Sequence, residues 1–354
     1  HNRVRRQRQM CIRDRAYSAK ELGIKATIFM PKTTPLIKVN AVRDLKAKVV
    51  LVGNNFDDAL KESKTFCKKN KVNFIHPFDD PLVIAGQGTV GMEISEQFPE
   101  NLYAVFVAVG GGGLIAGIGA YLNKVHPNVK IIGVEAADSA GLHASVKAGK
   151  RIKLKEVGLF ADGAAAKQIG KNNYELIKNF LDDSITVDTD EICAAVKDTF
   201  LETRTVPEPT GALALAGLKK YISQKRIKNK NLIATYCGSN LNFESLGHIV
   251  ERSKIGEKKE IILSIAIDEK KGSFRKLCKD IGQKNITEFS YRKDGSSKAK
   301  ILLGLELQDS KKSKDIFLKA LRNKNYSFTD LSNDEISKKP VSYTHLTLPT
   351  NTVV

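Results

Sequence analysis

The sequence carries one run whose residue types and spacing could do chemistry by themselves. VFVAVGGGGLIAG (Val105–Gly117) sets Gly110, Gly111, Gly112 and Gly113 between a β-branched strand and an apolar helix that starts at Leu114. Without Cβ atoms the backbone can curl until several N–H groups converge on one anion, and the helix that follows adds its dipole and its unpaired donors. A phosphate fits such a loop with no basic side chain. The spacing is neither the G-x-G-x-x-G of a dinucleotide fold nor a P-loop ending in Lys-Ser/Thr, and the same run fits a tight buried turn equally well. By themselves, two further residues read as structural. Cys237 is a small apolar side chain at a strand end, and Glu208 is an acid at a helix start ahead of Pro209.

The loop must be held by the elements around it, and these alternate. Apolar periodicity predicts a short helix ending at Leu22-Gly23, a strand Ala26–Met30, a helix Ile37–Leu45, a strand Lys48–Val52 and a helix Phe56–Lys69. A short strand Val72–Ile75 and a long helix Ile84–Gln97 follow. A second series runs from strand Tyr103–Val109 through helix Leu114–Val125 to strand Lys130–Val134. It continues with helices Asn173–Phe180, Thr189–Thr203 and Gly211–Ile222, and closes on strand Leu232–Tyr236. Short apolar strands alternating with helices imply a parallel sheet covered on both faces.

After Glu251 the pattern changes. Ile261, Leu263, Ile265 and Ile267 alternate as a half-buried strand. Phe274, Leu277, Cys278 and Ile281 recur at helical spacing, with Ser273 as N-cap and Gly282 as stop. Strands at Ile286–Arg292 and Ile301–Leu307, a helix at Asp315–Arg322 and a strand at Tyr326–Leu331 complete the order βαββαβ of a ferredoxin-like α+β module, joined through a polar link Lys254–Lys259.

Composition narrows the function classes. The formal charge is +19, but lysines are spread along the chain among acids and accompany no nucleic-acid-binding motif, which argues for a solvated surface. The uncharged stretch Asn101–Asn123 is long enough to span a membrane. Its four central glycines make strand, loop and helix the better description. No apolar signal segment opens the chain. The five cysteines, Cys11, Cys67, Cys193, Cys237 and Cys278, form neither C-x-x-C pairs nor a disulfide framework, which fits a reducing cytoplasmic setting and offers no metal scaffold. Both ends depart from the rest. HNRVRRQRQMCIRDR (1–15) holds six arginines against eight in all later residues, and VSYTHLTLPTNTVV (341–354) has no charged residue. Both are expected to be non-native tails.

Taken together, HPFDDPLVIAGQGTVGMEI (His76–Ile94), VGGGGLIAG (Val109–Gly117), VEAADSAG (Val134–Gly141), VGLFADG (Val157–Gly163), EPTGALALAG (Glu208–Gly217) and CGSNLNF (Cys237–Phe243) resemble the fold-type-II pyridoxal-phosphate enzymes, and among them the biosynthetic threonine dehydratases. The resemblance covers nearly all of Ala16–Pro340. It implies an α/β, two-domain, tryptophan-synthase-β-like catalytic core at 16–253, with a small lobe at about 16–88 and a large lobe at about 89–253. A C-terminal ACT-like regulatory α+β domain is implied at 260–340. It further implies that Gly110, Gly111, Gly112, Gly113 and Leu114 cup the phosphate of pyridoxal 5'-phosphate, that Cys237 faces the pyridine nitrogen, and that Glu208 lies close to the ring.

The implied reaction removes the Cα proton of L-threonine (or L-serine), eliminates the β-hydroxyl as water, and releases an enamine that hydrolyses to 2-oxobutanoate and ammonia. A thiol is a weak donor and does not hold a ring nitrogen protonated as an aspartate would, which favours elimination over transamination. Isoleucine as an allosteric ligand and a homo-oligomer are also implied, while the charge distribution and the glycine-interrupted apolar stretch lead us to expect no nucleic-acid or membrane partner. The family's Schiff-base lysine stands in a Ser-x-x-Lys-x-Arg-Gly-Ala-like segment, and no such segment occurs in these 354 residues. The chain is therefore expected to be an inactive fragment with no catalytic residue of its own. Asp162 in VGLFADG is the single weak indication of a cation site, and no metal is assigned. The alternatives are a serine dehydratase, serine racemase or diaminopropionate ammonia-lyase of the same fold, or a non-catalytic amino-acid-binding regulatory protein.

Overall fold

The computed structural model describes residues 12–332, apart from positions 35, 55, 99, 240, 242, 244, 258–259, 294–296 and 308–310. The string 341–354 thus lies outside the described residues. Contacts divide the chain into one unit up to Leu246 and a second from Gly247 onward.

The first unit opens with α1 (Ile12–Glu21), β1 (Thr27–Met30), α2 (Leu36–Arg43), β2 (Lys48–Leu51) and α3 (Phe56–Asn70). β1 and β2 form a parallel pair over a small core of Ala16, Ile28, Met30, Val39 and Val42. α1 starts within the arginine-rich string, and Arg15 Nη2 donates to the His76 carbonyl at 3.3 Å.

The main sheet is built from β3 (Leu102–Ala108), β4 (Lys130–Ala136), β5 (Leu181–Val187) and β6 (Asn231–Ala234), all parallel, in the order β5-β4-β3-β6. β3 sits inside this sheet, and Ala104–Ala108 are buried without alternation, as a strand covered on both faces requires. Around the sheet lie α4 (Pro81–Gln97), α5 (Gly113–Val125), α6 (Gly141–Ala148), α7 (Lys171–Ile177), α8 (Thr189–Thr203) and α9 (Pro209–Lys225). α4 and α5 pack so closely that a Cβ on Gly117 would come within 2.5 Å of the Ile84 carbonyl oxygen, which is why small residues punctuate both helices.

Three expectations need correction in this unit. Residues 72–75 are not a strand, because no neighbouring strand takes up their backbone. The long helix begins at Pro81 rather than Ile84, because the Asp80 side chain accepts the N–H groups of Leu82 and Val83, and proline suits the first helical position. α6 and β5 are additions to the expected order of elements.

α10 (Ser245–Gly256) leads into the second unit, so the first half of the expected link Lys254–Lys259 is helical, while 258–259 lie outside the described residues. Next come β7 (Glu260–Asp268), α11 (Ser273–Ile281), β8 (Ile286–Lys293), β9 (Lys298–Glu306), α12 (Lys311–Asn323) and β10 (Ser327–Asp330). The strands form one antiparallel sheet ordered β10-β7-β9-β8. Ile261, Leu263, Ile265 and Ile267 of β7 and Ile301, Leu303 and Leu305 of β9 share one core with Leu277, Ile281, Phe317 and Leu321 of the two helices. This is the period-two face of the expected βαββαβ module. Ser273 is the first helical residue and not the N-cap, a place taken by Gly272 at φ +90°.

Candidate functional site

β3 and β6 are hydrogen-bonded neighbours running the same way, with Phe106 opposite Ala234, and the Thr235 N–H extends the ladder to the Phe106 carbonyl at 3.0 Å. The glycine loop leaves the carboxyl end of β3, and Cys237 stands three residues beyond the end of β6. The loops after two adjacent parallel strands therefore open at one end of the sheet, where α/β folds bind ligands.

The glycine loop has a defined conformation. Val109 N–H is held by the Val134 carbonyl of β4 at 2.9 Å. Gly112 takes φ +88° as the N-cap of α5, a region that side chains disfavour, and it supplies no capping side chain. The N–H groups of Gly113, Leu114 and Ile115 thus open the helix in the first turn, where no intrahelical acceptor exists. A Cβ on Gly110 would lie 2.8 Å from Ala164 Cα, and one on Gly112 would lie 2.9 Å from Ile169 Cδ1, so both glycines are pressed against the segment between α6 and α7.

Glu208 and Cys237–Gly238 meet through backbone. Glu208 N–H donates to the Gly238 carbonyl at 3.0 Å. Glu208 is the N-cap of α9 and is buried, yet its carboxylate does not cap the helix. It turns toward Gly238, where an added Cβ would come within 2.9 Å of Glu208 Oε1. Cys237 is half-buried outside any disulfide, with Sγ 3.7 Å from Thr235 Oγ1. Thr210, in the first turn of α9, buries an Oγ1 that has no hydrogen-bond partner among the described residues.

Four residues without an expected role surround this end of the sheet. Glu135, near the end of β4, is 1% exposed and accepts the N–H groups of Leu142 at 2.8 Å and His143 at 2.7 Å, heading α6. Burial pushes its carboxyl up to about 7, against the downward pull of those backbone donors. Asp79 accepts the N–H groups of Lys171 at 2.8 Å and Asn172 at 2.8 Å, so it caps α7 from a loop more than ninety residues upstream. Asn173, fully buried, donates from Nδ2 to the carbonyls of Phe78 at 2.9 Å and Gly111 at 2.8 Å. His76 accepts the Asp79 N–H at Nδ1 (2.9 Å), and burial lowers its pKa. Only an acid within an apolar strand, as at Glu135, could have been noticed in the sequence. Asp162 faces the Lys38 ammonium at 2.5 Å, and no cluster of three or more histidine, cysteine or acidic residues that could hold a metal ion occurs among the described residues. No helix of the described residues is long and apolar enough to cross a membrane.

Comparison with known proteins gives two family matches in tandem. Residues 15–238 match the pyridoxal-phosphate dependent enzyme family, and residues 251–341 match the C-terminal regulatory domain of threonine dehydratase. The chain is 43% identical over 331 residues to the L-threonine dehydratase biosynthetic IlvA of Burkholderia multivorans, covering 93% of this chain and 65% of that protein. It is 46% identical to the mitochondrial threonine dehydratase of Schizosaccharomyces pombe, covering 93% of this chain and 55% of that protein. The chain thus spans less than two thirds of the length of these relatives.

Among solved structures, the processed form of threonine deaminase isoform 2 from Solanum lycopersicum matches with a TM-score of 0.66 at 41% identity, over 68% of this chain and 66% of that one. The serine racemase of Dictyostelium discoideum matches with a TM-score of 0.59 at 29% identity, over 65% of this chain and 74% of that one. The parallel-sheet core that carries the glycine loop and the antiparallel α+β unit that follows it correspond in turn to the two family matches. The chain belongs to the pyridoxal-phosphate-dependent enzyme family, in the biosynthetic threonine dehydratase line whose members carry a C-terminal regulatory domain.

Proposed function

We propose that the end of the sheet formed by β3 and β6 binds pyridoxal phosphate, with the backbone of Gly110, Gly111, Gly112, Gly113 and Leu114 around the phosphate. Cys237 faces the ring nitrogen and Glu208 lies beside the ring. The observation that carries the assignment is the convergence of the uncapped N-terminus of α5 and the Glu208–Gly238 contact at the carboxyl ends of two paired strands. The donor set suits the group. Amides at a helix start hold a phosphate without a counter-ion, and a half-buried thiol offers a weak neutral donor to a ring nitrogen.

When bound, pyridoxal phosphate supplies an electron sink for bonds broken at the Cα of an amino acid. The chain's own residues orient and exclude. The glycine loop fixes the anion, Phe78 packs over Gly111, and Glu208 keeps a carboxylate out of bulk water next to Gly238.

The whole protein to which this chain corresponds would deaminate L-threonine to 2-oxobutanoate and ammonia by β-elimination, a step toward isoleucine. The second unit would take isoleucine as its regulatory ligand, and the protein would assemble as a homo-oligomer. The names and identity of the relatives and the regulatory-domain match support this. The 354 residues of the chain contain no lysine in a Ser-x-x-Lys-x-Arg-Gly-Ala-like setting, so by themselves they are proposed to be inactive.

The chain purified with pyridoxal phosphate and treated with borohydride tests both parts. Saturable binding is expected, with no single lysine labelled. Absence of binding would refute the cofactor assignment, and one stoichiometric, site-specific pyridoxyl-lysine would refute the inactivity.

A further inference from the structure

We infer that Asn173 is a positioning residue for the anion-binding loop, acting through the carbonyl of Gly111 on the N–H of Gly112; this rests on the cofactor assignment above.

The Gly111 carbonyl accepts two donors from one side, the Gly170 N–H at 3.0 Å and Asn173 Nδ2 at 2.8 Å. A trans peptide is planar, so the carbonyl of Gly111 and the N–H of Gly112 point in opposite directions. Holding the carbonyl against the start of α7 therefore turns the Gly112 N–H away from α7. Gly112 at φ +88° has no side chain to define its own orientation, and a Cβ there would meet Ile169 and Asn173. The second hydrogen of Asn173 Nδ2 goes to the Phe78 carbonyl at 2.9 Å, so one amide group ties the residue that packs on the loop to the loop itself. Both hydrogens are spent on the 76–80 loop and the glycine loop.

The other end of the same side chain shows that this is more than space filling. Asn173 is fully buried, and its Oδ1 has no hydrogen-bond partner among the described residues. A buried acceptor left unpaired is costly, and an aliphatic side chain of the same size would avoid that cost. The amide stands where its two donors orient the loop and its acceptor is unused.

Leucine is nearly isosteric with asparagine and removes the donors together with the unpaired acceptor. Calorimetric titration of the full chain with pyridoxal phosphate and with pyridoxal, for wild type and Asn173→Leu, reads the loop through the phosphate alone. Wild type is expected to prefer pyridoxal phosphate strongly. The variant is expected to bind pyridoxal phosphate about tenfold more weakly, with pyridoxal affinity changed less than about twofold and the thermal midpoint kept. If Asn173→Leu does not fold, Asn173→Thr, with a single donor, is read in its place and is expected to show the same selective loss.

A variant that keeps the wild-type preference, or weakens both ligands equally, overturns the inference and leaves the cofactor assignment standing. A wild type with no preference for the phosphorylated ligand overturns the assignment and the inference with it.

Discussion

The backbone N–H of Glu208 donates to the carbonyl of Gly238 at 3.0 Å, joining the start of α9 to the loop that carries Cys237. The two segments are distant in sequence, and neither is within the sheet. The contact gives a buried acid and a thiol a common frame at the end of β6. An alanine at Gly238 would bring Cβ within 2.9 Å of Glu208 Oε1. Gly238→Ala should therefore displace the carboxylate and weaken pyridoxal phosphate binding about tenfold, roughly 1.4 kcal/mol, with little loss of thermal stability. Unchanged affinity in a titration would separate Glu208 from the ligand.

Glu135 makes stability depend on pH with a defined sign. Its carboxyl is raised from 4.5 to about 7 by burial. The folded chain thus holds this proton more tightly than the unfolded chain. The stabilisation from that proton is complete below about pH 4.5 and is lost as pH rises through about 7, by up to about 3 kcal/mol. Glu135→Gln removes the titrating group, so its stability should decline less steeply than wild type between those limits. Urea midpoints at several pH values measure the difference, and parallel profiles would contradict it.

Gly117 permits the close approach of α5 to α4. A Cβ there would sit 2.5 Å from the Ile84 carbonyl oxygen and 2.6 Å from the Gly88 nitrogen, both backbone atoms that cannot rotate aside. Gly117→Ala should cost about 2 kcal/mol, lowering the thermal midpoint by about 5 °C. A midpoint within about a degree of wild type would show that the helices can separate freely.

In the second unit Leu277 is fully buried between α11 and the sheet. Leu277→Ala should cost about 3 kcal/mol and reduce amide-exchange protection in β7 and β9 by roughly a hundredfold. Undiminished protection would mean that α11 does not support the sheet.

Much of this is legible in the residues, and the failures have physical causes. β3, the glycine loop and α5 are readable because an uninterrupted apolar run must be buried and four glycines must bend the chain. The βαββαβ order is readable because β7 and α11 carry undisturbed periods of two and about 3.6. β5 escapes notice because it opens on acidic residues. Asp182 accepts the Ile131 N–H at 2.8 Å, and Asp183 accepts the N–H of its neighbour Ser184, so the strand hides behind local polarity. α6 escapes because its capping group is Glu135, a strand residue, and not a side chain at the helix start. Asp79 likewise caps α7 from far upstream, so that helix, expected from Asn173, begins at Lys171. Asn173 lies in the polar run GKNNYE and gives no sign in the sequence that it is buried. Glu208 and Cys237 look structural when read singly, and only the Glu208–Gly238 contact at the end of β6 brings them together in the site proposed above.

A crystal structure of the chain soaked with pyridoxal phosphate tests most directly whether this end of the sheet holds the cofactor by its backbone. Phosphate oxygens should lie roughly 3 Å from the amide nitrogens between Gly110 and Leu114, with the ring nitrogen turned to Cys237. Cofactor density seated elsewhere, or none at saturating cofactor, would contradict it.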